Sequence, residues 1–113
     1  MRLEAKKYLY DIQQAAARIA EFTVGKQFVD YERHPMLRSA VERQFQVLGE
    51  ALAQLAKLDV KLAGRISQHR RIIAFRNILI HGYANVDDRL VWDVVETKLP
   101  ILRREVETLL SEE

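Results

Sequence analysis

The stretch IIAFRNILIHGYANVDD, residues 72–88, decides the reading of this 113-residue chain. Ile72, Ile73, Phe75, Leu79 and Ile80 recur at the spacing of one side of a helix, and Gly82 stands where that helix should end. The turn YANVDD follows, with Asp87 or Asp88 placed to cap the next helix. The same stretch carries Arg76, Asn77, His81 and Tyr83 within eight residues. It is therefore both a helix terminus and a cluster of groups suited to phosphate chemistry.

Upstream, Ser67 is a plausible N-cap for this helix, and DVKLAGRIS, residues 59–67, reads as a short helical turn or a loop. Before it, Pro35 suits a first helical turn, and Leu37, Val41, Phe45, Leu48, Leu52 and Leu55 form one apolar stripe. The N-terminal segment repeats the pattern with Ala5, Tyr8, Ile12, Ala15, Ile19 and Phe22, and Gly25 is placed to end it in a left-handed conformation. The segment between them, KQFVDYERH, reads as a link. Downstream, Val91, Val94, Val95, Leu102, Val106 and Leu109 mark a last helix, with a kink or break expected near Leu99 because Pro100 cannot donate a backbone hydrogen bond.

The expected architecture is all-α: one domain over residues 1–113, an antiparallel bundle of four main helices, with a fifth short or broken helix at the C-terminus. Leu9, Leu58 and Trp92 lie off the main stripes, and four short helices have little room for them, so a homodimer through one helical face is expected in preference to a monomer with a few exposed apolar groups. The absence of cysteine excludes disulfides and thiolate metal sites. No apolar run approaches the roughly 20 residues of a membrane span, and the charged N-terminus lacks the apolar core of a signal peptide. A cytoplasmic protein is expected.

The net charge of +2 conceals an uneven distribution. From Val60 to Val86 there is no acid, while Lys61, Arg65, Arg70, Arg71 and Arg76 all fall there with His69 and His81. Such a window attracts a phosphate chain, and Arg65, Arg70 and Arg71 are candidate RNA contacts. It can equally be a solvated face paired with acids elsewhere.

On a regular helix Asn77 and His81 share a face, whereas Arg76 and His81 lie about 140° apart. Arg76 and His81 meet only if the helix unwinds at His81–Gly82, or if a second chain brings its own pair across. Arginine grips phosphate oxygens through a rigid fork, histidine moves protons near neutral pH, and asparagine holds a hydroxyl. These three suffice to cleave RNA without a metal, the 2′-hydroxyl attacking the adjacent phosphorus. The competing reading is structural. A histidine before a terminal glycine caps a helix, an arginine near a helix end pairs with a carboxylate, and a tyrosine packs with its hydroxyl wet. Glu42 and Glu50, the latter in the triplet GEA at 49–51, are either a partner for Arg76 or surface. His34 and His69 lack ligand-type neighbours at helical spacing, and there is no glycine-rich phosphate loop.

RNILIHGY resembles the R-x4-6-H motif of the HEPN superfamily, in the R-x4-H-x-Y form of HepT-like toxins. YLYDIQQA, AVERQFQVLGEAL and LPILRREV resemble the family's other helices, although SQHRR replaces the Pro-Trp that members often carry before the motif helix. The resemblance implies a homodimer with two motifs facing across a cleft. It further implies a metal-independent endoribonuclease toxin of a type VII-like toxin–antitoxin system, needing no cofactor, with Arg76 and His81 carrying the reaction on an RNA such as tRNA or mRNA and Asn77 assisting. A nucleotidyltransferase antitoxin of the MNT type would inhibit it by attaching AMP to Tyr83. The other function in view is a non-catalytic module that binds nucleotide or substrate for such a nucleotidyltransferase.

Overall fold

In the computed structural model, residues 1–112 are described, with the side chain of Tyr83 outside the description. All regular structure among them is helical: α1 (Leu3–Thr23), α2 (Phe28–Glu32), α3 (Pro35–Leu58), α4 (Val60–Gly64), α5 (His69–His81), α6 (Asp88–Asp93) and α7 (Leu99–Ser111). A 3-10 turn, Tyr83–Asn85, follows α5. No described helix is long and apolar enough to cross a membrane.

α3 is the hub, packed against α1, α2, α4 and α5, while α7 lies along α1. The six stripe residues of α3, from Leu37 to Leu55, are all buried. Gly25 adopts φ +72°, the left-handed conformation that turns the chain out of α1. Pro35 opens α3 in its first turn, and the Nδ1 of His34 accepts from the backbone N–H of Leu37 at 3.1 Å. Asp59 and Asp87 cap α4 and α6 through their carboxylates.

Several local expectations need correction. The link after α1 contains α2, because Tyr31 is drawn fully into the core, its ring 5.3 Å from that of Trp92. Leu9 and Trp92 are buried and Leu58 packs partly against the core, so the off-stripe residues do not mark an outer face. Ser67 does not cap α5, whose N-cap is Gln68. The N–H and hydroxyl of Ser67 donate instead to the carboxylate of Glu105 on α7. Of the kink or break expected near Leu99, the break does not occur, and the irregularity takes the form of a widened turn just before it. The backbone widens at Val94–Lys98, the N–H of Leu99 donates to the carbonyl of Val94, and α7 then starts with Pro100 in its first turn. The wider turn spares a helix the donor that Pro100 lacks.

Beside Tyr31, Arg38 on α3 lies 3.9 Å from the carboxylate of Asp88 on α6. Burial, then the charge of Asp88, raises the pKa of Glu42 on the same turn of α3, against the attraction of Arg38. The folded state therefore binds this proton more tightly than the unfolded chain. That contribution is complete below the ordinary carboxylate value of 4.5 and is lost as pH rises through the raised one. Glu42→Gln should raise Tm at pH 7, with the gain shrinking toward pH 4. Thermal melts across that range test it, and a lower Tm at pH 7 would refute it.

Candidate active site

The site begins with a glycine. Gly49 is buried on α3 where α5 crosses it. A Cβ built there would overlap the Cβ of Arg76 and lie 2.7 Å from its Cγ. No larger residue fits without pushing the two helices apart.

The close crossing sends the Arg76 side chain along α3 to the next residue, Glu50. The Nη2 of Arg76 donates to Glu50 Oε2, and its Nη1 donates to Asn77 Oδ1 at 2.7 Å. The Arg76 Nε is buried without a hydrogen-bond partner among the described residues. Glu50 also accepts from the Nε2 of Gln54, one turn further on, at 3.0 Å. That bond first, and then the charge and hydrogen bond of Arg76, lower the Glu50 pKa against partial desolvation, so it stays ionised at neutral pH. Arg76 is thus a fixed, forked cation rather than a waving surface arginine.

His81 is exposed, the last residue of α5. The N–H of Gly82 donates to the carbonyl of Ile78 at 2.8 Å, which completes the last regular turn. The helix does not unwind before His81, so Arg76 and His81 keep about 140° between them. Among the described residues, no hydrogen bond joins His81 to Arg76 or Asn77. Gly82 has φ −109°, so it ends the helix without the left-handed turn of Gly25.

The sequence candidates separate into groups. Arg76 and Asn77 touch. Arg70, Asn77 and His81, spaced seven and four apart, form an exposed row on one face of α5. Arg71 rims a neighbouring apolar groove floored by Ile78, Leu90 and Val94. Arg65 stands apart at the end of α4, its guanidinium donating twice to the carboxylate of Glu112, at 2.9 and 2.7 Å. The Tyr83 side chain, the proposed modification point, lies outside the described residues. His69 places its Nδ1 3.2 Å from the carbonyl of Ile66. Among the described residues no group of three or more His, Cys, Asp or Glu could hold a metal ion.

Sequence reading left Glu50 open between partner and surface, and the fold makes it the partner. Gln54 escaped notice, although its spacing of four from Glu50 is the available signal. Also missed were Ile78 and Leu90, left 48% and 39% exposed around the motif, and Ile80, expected on the apolar side of its helix, is corrected to 42% exposed because it lies at the last turn of α5, beyond the buried Ile72, Phe75 and Leu79.

The chain belongs to the HepT-like ribonuclease family: the family described as "Ribonuclease HepT-like" matches residues 12–109. It is 33% identical to "Probable ribonuclease HepT" of Thermococcus cleftensis, over 96% of this chain and 98% of that one. It is 32% identical to "Putative RNase MJ1380" of Methanocaldococcus jannaschii, over 92% and 94%. No solved structure matches it significantly.

Gly49→Ala should cost about 1–3 kcal/mol through overpacking of the α3–α5 crossing, a fall of several degrees in Tm. Calorimetry measures this, and an unchanged Tm would show that the crossing opens freely.

Proposed function

We propose that the chain is an endoribonuclease toxin working as a homodimer, with Arg76 and His81 from different protomers completing each site. The single observation that carries this reading is the regularity of α5 through His81. One chain holds Arg76 against Glu50 and Asn77 and turns His81 to another side, so a second chain is the remaining way to bring both to one phosphate. The exposed Ile78 and Leu90 beside the motif supply an apolar surface for such a contact.

In the proposed reaction, His81 accepts the proton of the RNA 2′-hydroxyl as that oxygen attacks the adjacent phosphorus. The P–O5′ bond breaks, giving a 2′,3′-cyclic phosphate, and an imidazolium returns a proton to the departing 5′-oxygen. Arg76 offsets the charge that builds on the phosphoryl oxygens, and Asn77 holds the attacking or departing hydroxyl. These side chains supply both proton transfer and charge, so the mechanism asks nothing of a metal. In this reading Arg70, in the row with Asn77 and His81, follows the RNA backbone, with Arg71 beside it. Arg65 would have to leave Glu112 to take part.

Inhibition by a nucleotidyltransferase antitoxin belongs to the same proposal. AMP on Tyr83, two residues from His81, would add charge and bulk where RNA must enter. Intact-mass measurement of protein co-expressed with a neighbouring nucleotidyltransferase would show the added AMP.

One observation favours the second reading, a non-catalytic partner of a nucleotidyltransferase. Among the described residues no hydrogen bond joins His81 to Arg76 or Asn77, and a binding module uses the donors of Arg76 without a proton-transfer partner. Growth separates the two: a toxin slows its host when expressed alone, whereas a binding module does not.

The decisive test mixes variants. Arg76→Ala and His81→Ala should each lower RNA cleavage by about 10²–10⁴-fold, with EDTA leaving the wild-type rate unchanged. Mixed after subunit exchange, they should recover about a quarter of wild-type activity, because half the dimers are mixed and each has one intact site. No recovery from exchanged dimers would overturn the two-chain site.

A further inference from the structure

A cavity of about 360 Å³ opens beside the motif, lined by Tyr8 and Asp11 of α1, by residues of α3 that include Glu50, and by Ile80 of α5. We propose that it is a nucleobase subsite, selective for guanine, that selects where RNA is cut. The cleavage part of this proposal rests on the ribonuclease reading; the subsite itself does not.

Size, shape and charge agree. The volume lies at the low end of the roughly 300–1,000 Å³ typical of small-ligand sites, enough for one splayed base and too small for a duplex. Its apolar surface comes from Val47, Ala51, Ile80 and the half-buried Tyr8, which suits the flat face of a base. The polar lining does not suit phosphate. Asp11 and Glu50 give two carboxylates against the one cation, Arg43, and Gln46 and Gln54 add amides.

Carboxylates want donors. Guanine presents N1–H and an adjacent amino group along one edge, two parallel donors that a carboxylate can accept together. Its neighbouring O6 is an acceptor that Arg43 or an amide can meet; Arg43 already sits 3.5 Å from Gln46 Oε1, so the pair is in reach of one ligand edge. Uracil presents a single N–H between two carbonyls, and these would face the carboxylates unfavourably. Asp11 is only loosely engaged, 3.9 Å from Lys7, and is free to turn toward a ligand.

Position makes the site useful. Glu50 lines the cavity and also holds Arg76, so a base in the cavity and a phosphate at Arg76 are separated by one side chain. Glu50 is a positioning residue for the guanidinium, and through it base binding and phosphate binding become linked.

The test has two arms. In the first, wild-type protein cleaves an oligouridylate carrying one guanosine and the same oligomer without it. Cleavage beside guanosine should exceed that of the all-uridine strand by about tenfold in kcat/KM. Asp11→Asn and Gln46→Ala should bring the ratio toward one and leave the all-uridine rate unchanged. In the second arm, 5′-GMP is titrated into protein with labelled methyls. Val47, Ala51 and Ile80 should shift with GMP and not with UMP, and the shifts should weaken in Asp11→Asn. Cleavage without base preference, together with no GMP shift at these methyls, would overturn the subsite and leave the ribonuclease reading standing. GMP shifts without cleavage would support the subsite and remove the ribonuclease reading.

Discussion

The close crossing of α3 and α5 at Gly49 is the constraint on which the site depends. A missing Cβ lets the Arg76 stem lie against the α3 backbone, and only from there does its guanidinium reach Glu50. The contact is steric before it is electrostatic. An exposed arginine–carboxylate pair by itself contributes little, because ordering two long side chains offsets much of the attraction. Here the stem is already fixed by packing, so the pair adds direction at a small entropic cost.

The rest of the molecule holds that crossing in place. The C-terminal segment fastens the chain just ahead of α5 twice, through Glu105 of α7 to Ser67 and through Glu112, just past α7, to Arg65. Beyond α5, the chain is caught again where Asp87 caps α6 and where Trp92 packs on Tyr31. The motif helix is thus clamped at both ends by elements remote in sequence. Its middle is clamped by α3. What stays exposed is one row of polar groups, Arg70, Asn77 and His81, bordered by apolar side chains. A surface of that composition fits the two-chain site proposed above and gives it a physical motive.

Much of this was legible in the sequence. The stripes of α1, α3 and the C-terminal helices mapped onto the core because 3.6-residue periodicity records which side meets other helices. Gly25, Pro35 and Asp87 acted as their local chemistry dictates. The failures have a common cause. Tyr31 carries α2 into the core, Glu105 takes Ser67 from its capping role, and Trp92 is buried against Tyr31. Each depends on a partner far along the chain, which no local pattern announces. Pro100 differs: an irregularity near Leu99 was foreseen from the missing donor, and a widened turn, not a break, is the form it takes.

The sequence by itself determined that the chain is helical, where α1 ends and α3 begins, and that Arg76 and His81 cannot share a face of one regular helix. Those properties follow from backbone geometry and side-chain spacing, which are local. Tertiary structure decided that α5 stays regular through His81, that Glu50 and not a distant acid holds Arg76, and that Arg65 is engaged by the C-terminal segment. It also decided that Glu50 lines a cavity with residues of α1 and α5. These depend on how closely two helices approach, and that distance is set by a glycine on one of them meeting an arginine on the other.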